Sequence, residues 1–170
     1  MGAPFVGDDP PPQLRLRAED ARDLEVISAC LQDAVTRQRD MAYRRRERRF
    51  AAIFNRFRWE REAGGSRGGA AAPGSPPRHQ RVRTGVHFDG CLAVRSRGLD
   101  RMGADAVLSL LAIDCRPGDD GAAEIVLEFA GGAAILMHLE CIDCRLRDMS
   151  EPWQARARPD HRLDDPAGDA

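Results

Sequence analysis

The sequence predicts an α+β domain: one N-terminal amphipathic helix packed on a strongly curved antiparallel sheet, a roll or partly open barrel, of about seven strands. Three observations lead there. A single stretch, 18–35, carries apolar residues at helical spacing. The remaining apolar segments alternate with period two and are separated by turn residues, as hairpins are. One helix cannot cover a flat sheet of that size, so the sheet has to curl.

The elements follow in chain order. Residues 1–13 are rich in Pro, Gly and Asp and read as a disordered arm. Leu14 and Leu16 alternate with Arg15 and Arg17, a short extended entry. From 18 to 35, Ala21, Leu24, Ile27, Leu31, Ala34 and Val35 fall on one helical stripe. Glu19, Asp20 and Asp23 complement the dipole of its first turns. A short strand at 41–43 and a charged connection at 44–49 precede a strand at 50–59. There Phe57 and Trp59 alternate with Arg56 and Arg58; one reading places the two aromatics inward and the two arginines on the solvated face, the other makes all four an interleaved binding surface.

Residues 60–80 are low in complexity (Gly64, Gly65, Gly68, Gly69, Pro73, Pro76, Pro77) and read as a disordered loop inside a single domain spanning 14–153. Residues 81–97 read as a hairpin turning at Asp89 and Gly90. A three-residue loop there sets Phe88 opposite Leu92 and Val86 opposite Val94. An apolar strand at 106–115 and a turn at 116–121 follow. A second hairpin joins 123–129 to 135–141 through Gly131 and Gly132, with Phe129 set against Ile135 and Leu127 against Met137. Trp153 is a candidate to close over the core, and 154–170 read as a disordered tail.

Composition excludes several classes. The 170 residues are 42% hydrophobic and 31% charged, with net charge −1. That balance implies neither a polyanion nor a membrane as partner of the whole chain. All 26 basic residues are arginine, which fits a GC-rich coding sequence and dilutes arginine count as a sign of anion binding. No segment approaches the ~20 apolar residues of a membrane span. The first residues have neither a basic nor an apolar signal region, so the protein is expected in the cytoplasm. Five cysteines, an odd number, are then expected as reduced thiols.

Catalytic constellations are thin. Cys141 and Cys144 have the spacing of half a zinc site or of a redox pair. No second close pair of ligands accompanies them, and as a strand end they point to opposite faces. His79, His87, His138 and His161 form no HxH or HExxH spacing. Asp119-Asp120 and Asp164-Asp165 lie in a turn and a tail, where carboxylates are poorly held for acid–base work. No GxSxG, GxGxxG or phosphate-loop lysine occurs. The residues imply no metal and no cofactor.

The strongest chemical signal is basic. Residues 36–61 hold ten arginines and three acids, a local charge of +7, with Tyr43, Phe57 and Trp59 interleaved. Arg44, Arg46, Arg56 and Arg58 are the candidates for a nucleic-acid or anion surface. An ordinary solvated face competes with that reading, as does one paired with the tail: from Met149 onward the chain carries five acids and three arginines.

Certain stretches are similar to a known family: LRLRAED at 14–20, VISACLQD at 26–33, RRF at 48–50, NRFRW at 55–59, FDG at 88–90, GLD at 98–100 and ECID at 140–143. Their order resembles the alphaproteobacterial domain-of-unknown-function family numbered twenty-nine forty-eight, over about 14–153. The resemblance implies a bacterial cytoplasmic protein. The family has no assigned activity, so it implies no catalytic residue. The function expected on these grounds is a non-catalytic binding or accessory domain with a protein partner. The alternatives are a nucleic-acid-binding domain using the arginine-rich strand region, and a small enzyme of unrecognised type.

Overall fold

The computed structural model describes residues 13–59 and 80–155. The expected arm, loop and tail therefore fall almost wholly outside the described residues. Where they overlap, Gln80 and Gln154 are strand residues.

β1 (Arg15–Ala18) comes first and α1 (Ala21–Leu31) second, so the helix follows a strand rather than beginning the fold. It is also shorter than 18–35. The Asp20 carboxylate caps it, accepting the Asp23 N–H at 2.8 Å. Asp33 takes φ 60°, a left-handed conformation that ends helical continuation and that Asp tolerates better than most residues. Leu24, Ile27 and Leu31 remain as the buried stripe. α1 packs it against β1, β4 (Arg49–Phe57) and β7 (Val107–Pro117).

The other strands are β2 (Val35–Arg37), β3 (Met41–Arg44), β5 (Gln80–Phe88), β6 (Cys91–Arg97), β8 (Ala123–Phe129), β9 (Ala134–Leu139), β10 (Cys144–Asp148) and β11 (Trp153–Gln154). Eleven strands among the described residues replace the expected seven because β1, β2, β10 and β11 are short additions to the longer ones. The order is β1-β10-β5-β4-β2-β7-β8-β9-β6, with β3 beside β4 and β11 beside β5. Every pairing is antiparallel. The sheet does not close, since β1 and β6 end the ladder unpaired with each other. β7 carries the chain from one half to the other. Its first residues pair β2, its last pair β8, and a bulge between Leu110 and Ala112 marks the change.

The hairpin expected at 81–97 does not form. β5 pairs β4 on one edge and β10 on the other, so no edge is left for β6. β4 offers β5 the same apolar match that β6 offered: Phe50 faces Phe88, Ala52 faces Val86 and Phe54 faces Thr84. The turn is instead a crossing between sheet halves. Asp89 donates its N–H to the Asp143 carbonyl and Cys91 donates to the Arg48 carbonyl, both outside the turn. β6 then pairs β9.

The second hairpin does form, around a three-residue loop closed by the Phe129 N–H on the Ala133 carbonyl. Gly131 and Gly132 both take positive φ there, which glycine adopts without steric cost. Its register differs by two residues from the expected one: Leu127 faces Ile135 and Ile125 faces Met137. A two-residue slip leaves each side chain on its original face, so the apolar match survives it. Trp153 does not close over the core. It pairs with Arg81 at the sheet edge and is 40% exposed.

Arg56 reverses its expectation most sharply. It keeps the parity of Phe50, Ala52 and Phe54, points into the interior and has no exposed surface. Its Nε and Nη2 donate to the two Asp148 oxygens at 3.0 and 2.8 Å, a forked pair. Thr84 donates its hydroxyl to Asp148 at 2.7 Å, and the Leu14 N–H donates to it at 3.1 Å. One buried carboxylate thus joins β4, β5, β10 and the start of β1. Burial pushes the Asp148 carboxyl up, but its bonds to Arg56 and Thr84 outweigh that and leave it below its ordinary value.

Asp148→Asn is expected to cost about 3–5 kcal/mol, because it removes the carboxylate on which the buried Arg56 fork, the Thr84 hydroxyl and the Leu14 N–H converge. The paired change Arg56→Met with Asp148→Leu is expected to cost much less. Urea unfolding midpoints of the three proteins check this. A carboxyl with a lowered folded value stabilises above its unfolded value, near 3.9, and loses that contribution as pH falls through the folded one. The wild type should therefore lose stability more steeply than the paired variant below about pH 4.

Candidate binding face

With Arg56, Thr84 and Asp148 turned inward, the alternate residues of the same strands make up the outer face. On β5 these are Arg81, Arg83, Gly85 and His87; on β10, Arg145 and Arg147; on β4, Ala51, Ile53 and Asn55. The middle of this face is lowest where its side chains are small, at Ala51 and Gly85. Ala51, Ile53, Gly85 and His87 floor an open groove of about 930 Å³. Arg147 and Met149 form one bank, and Arg39, Asp40, Arg44 and Glu47 the other. A smaller depression of about 360 Å³, bordered by Arg37, Asn55 and Arg83, shares Arg39, Asp40 and Ile53 with it.

Gly85 keeps the floor open beneath Met149, since a Cβ at that position would stand 2.8 Å from the Met149 sulfur. Met149 itself is 56% exposed. At one end Arg49 forks onto Asp89 at 2.6 and 3.2 Å. That hydrogen bond raises the arginine and lowers the carboxyl. Burial lowers His87, which lies 3.6 Å from Asp89, and so favours the neutral form of the imidazole on the floor. On the far bank Arg44 pairs with Glu47 at 3.1 Å, and Arg39 and Arg37 both reach Asp105, at 2.5 and 3.7 Å. The face is basic but interrupted by carboxylates.

Of the four arginines singled out from the sequence, Arg44 and Arg46 are exposed beside this groove and in the short turn after β3. Arg56 and Arg58 are buried and belong to no surface. Arg58 donates to the Gln80 side chain at 3.2 Å. The interleaved aromatics are also committed internally. Phe57 is buried with the Arg81 guanidinium 3.9 Å above its ring and Trp59 5.2 Å away. Tyr43 donates to the Leu92 carbonyl at 2.9 Å. These rings do not form an open platform on which bases could stack.

Sequence reasoning missed Arg83, Arg145, Arg147, Gly85 and His87 as members of one face. The signal was present in the alternation Arg81-Val82-Arg83 and Arg145-Leu146-Arg147, but the two segments are adjacent only through the β5–β10 pairing.

Three of the cysteines are poorly suited to act as nucleophiles. Burial pushes the Cys91, Cys115 and Cys144 thiols up, which keeps them protonated. Cys144 is buried at the start of β10, while Cys141 is exposed in the preceding turn. None of the five cysteines is in a disulfide. Among the described residues no three His, Cys, Asp or Glu side chains stand close enough to hold a metal ion. No described helix is long and apolar enough to cross a membrane.

No curated protein and no solved structure matches the chain. A family model does, described as "Protein of unknown function (DUF2948)", over residues 14–161. That span includes every described strand, the described helix and, Gln13 apart, the lining of the basic groove, and on it the chain belongs to the DUF2948 family.

Proposed function

We propose that this is a non-catalytic binding domain of the cytoplasm whose outer groove docks a protein partner bearing acidic side chains. The observation that carries the reading is the groove itself: a floor of small, partly apolar side chains between arginine-bearing banks. Such a floor accepts side chains from a partner's backbone element, and the arginines select acidic ones. Met149 adds a flexible apolar contact at the rim. The five cysteines, none in a disulfide, fit a reducing compartment.

Nucleic acid is the second reading, and the arginines Arg37, Arg39, Arg83 and Arg147 favour it. Against it stand the burial of Phe57 and the carboxylates Asp40, Glu47, Asp89 and Asp105 among the same arginines. A continuous phosphate backbone would run past each of them, whereas a partner's separate acidic side chains can be spaced between them.

The test is a tagged full-length capture from native lysate, with and without nuclease, compared with Ala51→Glu. That substitution puts a charged, longer side chain on the groove floor without touching the interior face. The expected result is a specific protein retained after nuclease and lost from Ala51→Glu at unchanged melting temperature. Capture abolished by nuclease, capture indifferent to Ala51→Glu, or no enrichment by the wild type would each overturn the reading.

A further inference from the structure

β1 and β10 hold arginine directly opposite arginine twice: Arg15 faces Arg147 and Arg17 faces Arg145. Like charges set directly across two strands repel. The repulsion is sharpened by position. Asp148 donates its N–H to the Leu14 carbonyl across the same two strands, marking that pair as hydrogen-bonded. Alternation then puts both arginine pairs at non-hydrogen-bonded positions, where Cα atoms approach to about 4.5 Å and side chains lie closest. The register cannot slip to relieve this. Leu16 against Leu146 and Ala18 against Cys144 are on the interior face, and Asp148 holds the start of β1.

The two pairs differ in one respect. The Asp143 carboxylate serves the lower pair, 3.4 Å from Arg17 Nε and 3.6 Å from Arg145 Nε, and Glu19 adds a second contact to Arg17 at 3.0 Å. The chain thus shows, one register step away, what an opposed arginine pair on these strands does with an anion. Arg15 and Arg147 are exposed and have no acidic partner among the described residues.

We propose that Arg15 and Arg147 form an anion subsite for a phosphate dianion. Two guanidiniums borne at directly opposed positions carry a charge of +2, which a phosphate group matches and a single carboxylate does not. Arginine forks fit its oxygens in pairs. The subsite does not require the neighbouring groove to dock a protein. The same chemistry can come from a phosphorylated side chain or from a small phosphate-bearing molecule.

The experiment uses the full chain and inorganic phosphate, titrated against chloride at constant ionic strength while melting temperature is read. The wild type is expected to gain roughly 3–6 °C at about tenfold excess over Kd. Arg147→Glu places a carboxylate opposite Arg15, as Asp143 stands between Arg17 and Arg145. It should melt no lower than wild type without phosphate and show no phosphate-dependent gain. Arg15→Gln should also lose the gain, whereas Arg145→Gln should keep most of it. A phosphoserine peptide that competes where its serine twin does not identifies a phosphorylated partner as the source; competition by free phosphate alone identifies a small molecule. No gain in the wild type beyond chloride, or a gain surviving both Arg147→Glu and Arg15→Gln, would overturn the subsite.

Discussion

One buried carboxylate organises this domain. Asp148 accepts two guanidinium hydrogen bonds from Arg56, one from the Thr84 hydroxyl and one from the Leu14 backbone, all on the interior face. A charge inside a protein is tolerated only where its lone pairs are satisfied, and here the partners come from three separate segments besides the strand of Asp148 itself. Each therefore has only one acceptable position relative to the others. The apolar contacts around Phe54, Val86 and Leu146 supply the larger share of burial, but they are non-directional. The forked ion pair is directional, so it discriminates between registers that apolar matching leaves nearly equivalent. Replacing it with apolar residues would preserve burial while removing that discrimination.

The outer face inherits its character from that interior arrangement. Strand side chains alternate, so a register that turns Arg56, Thr84 and Asp148 inward turns Ala51, Ile53, Gly85, Arg145 and Arg147 outward. The small residues of β4 and β5 make the groove floor, and the arginines of β1 and β10 meet across their shared ladder. The repulsion between those arginines is a local cost, held in place by the pin on the opposite side of the same strands. The groove and the arginine pairs are in this sense products of the core. Removing the pin would free the β1 edge before it disturbed the hairpins of β7, β8 and β9, which pair among themselves.

Much of the fold was legible before any coordinates. The helix stripe Leu24, Ile27, Leu31 was visible from its spacing, and so was the hairpin of β8 and β9 from its glycine pair. Both signals are local, spanning a turn or two of chain. The errors share a physical origin. Apolar matching could not tell β6 from β4 as the partner of β5, because both present large side chains at the required period. Parity in β4 could be taken from Phe57 and Trp59 or from Phe50 and Phe54, and the second was correct. Charge favoured the first choice, since an arginine in the interior is acceptable only when its acid is known. That acid lies 92 positions away.

Sequence by itself determined the α+β class, the existence and buried stripe of the helix, most of the strands and the arginine-rich character of the chain. These depend on periodicity and composition, which are properties of neighbouring residues. Tertiary structure alone decided which strands pair, which arginines are buried, and which ones gather around the groove. Those outcomes depend on contacts between segments as distant as Leu14 and Asp148, or Arg15 and Arg147. No local pattern encodes such contacts, because the free energy that selects them belongs to the assembled core.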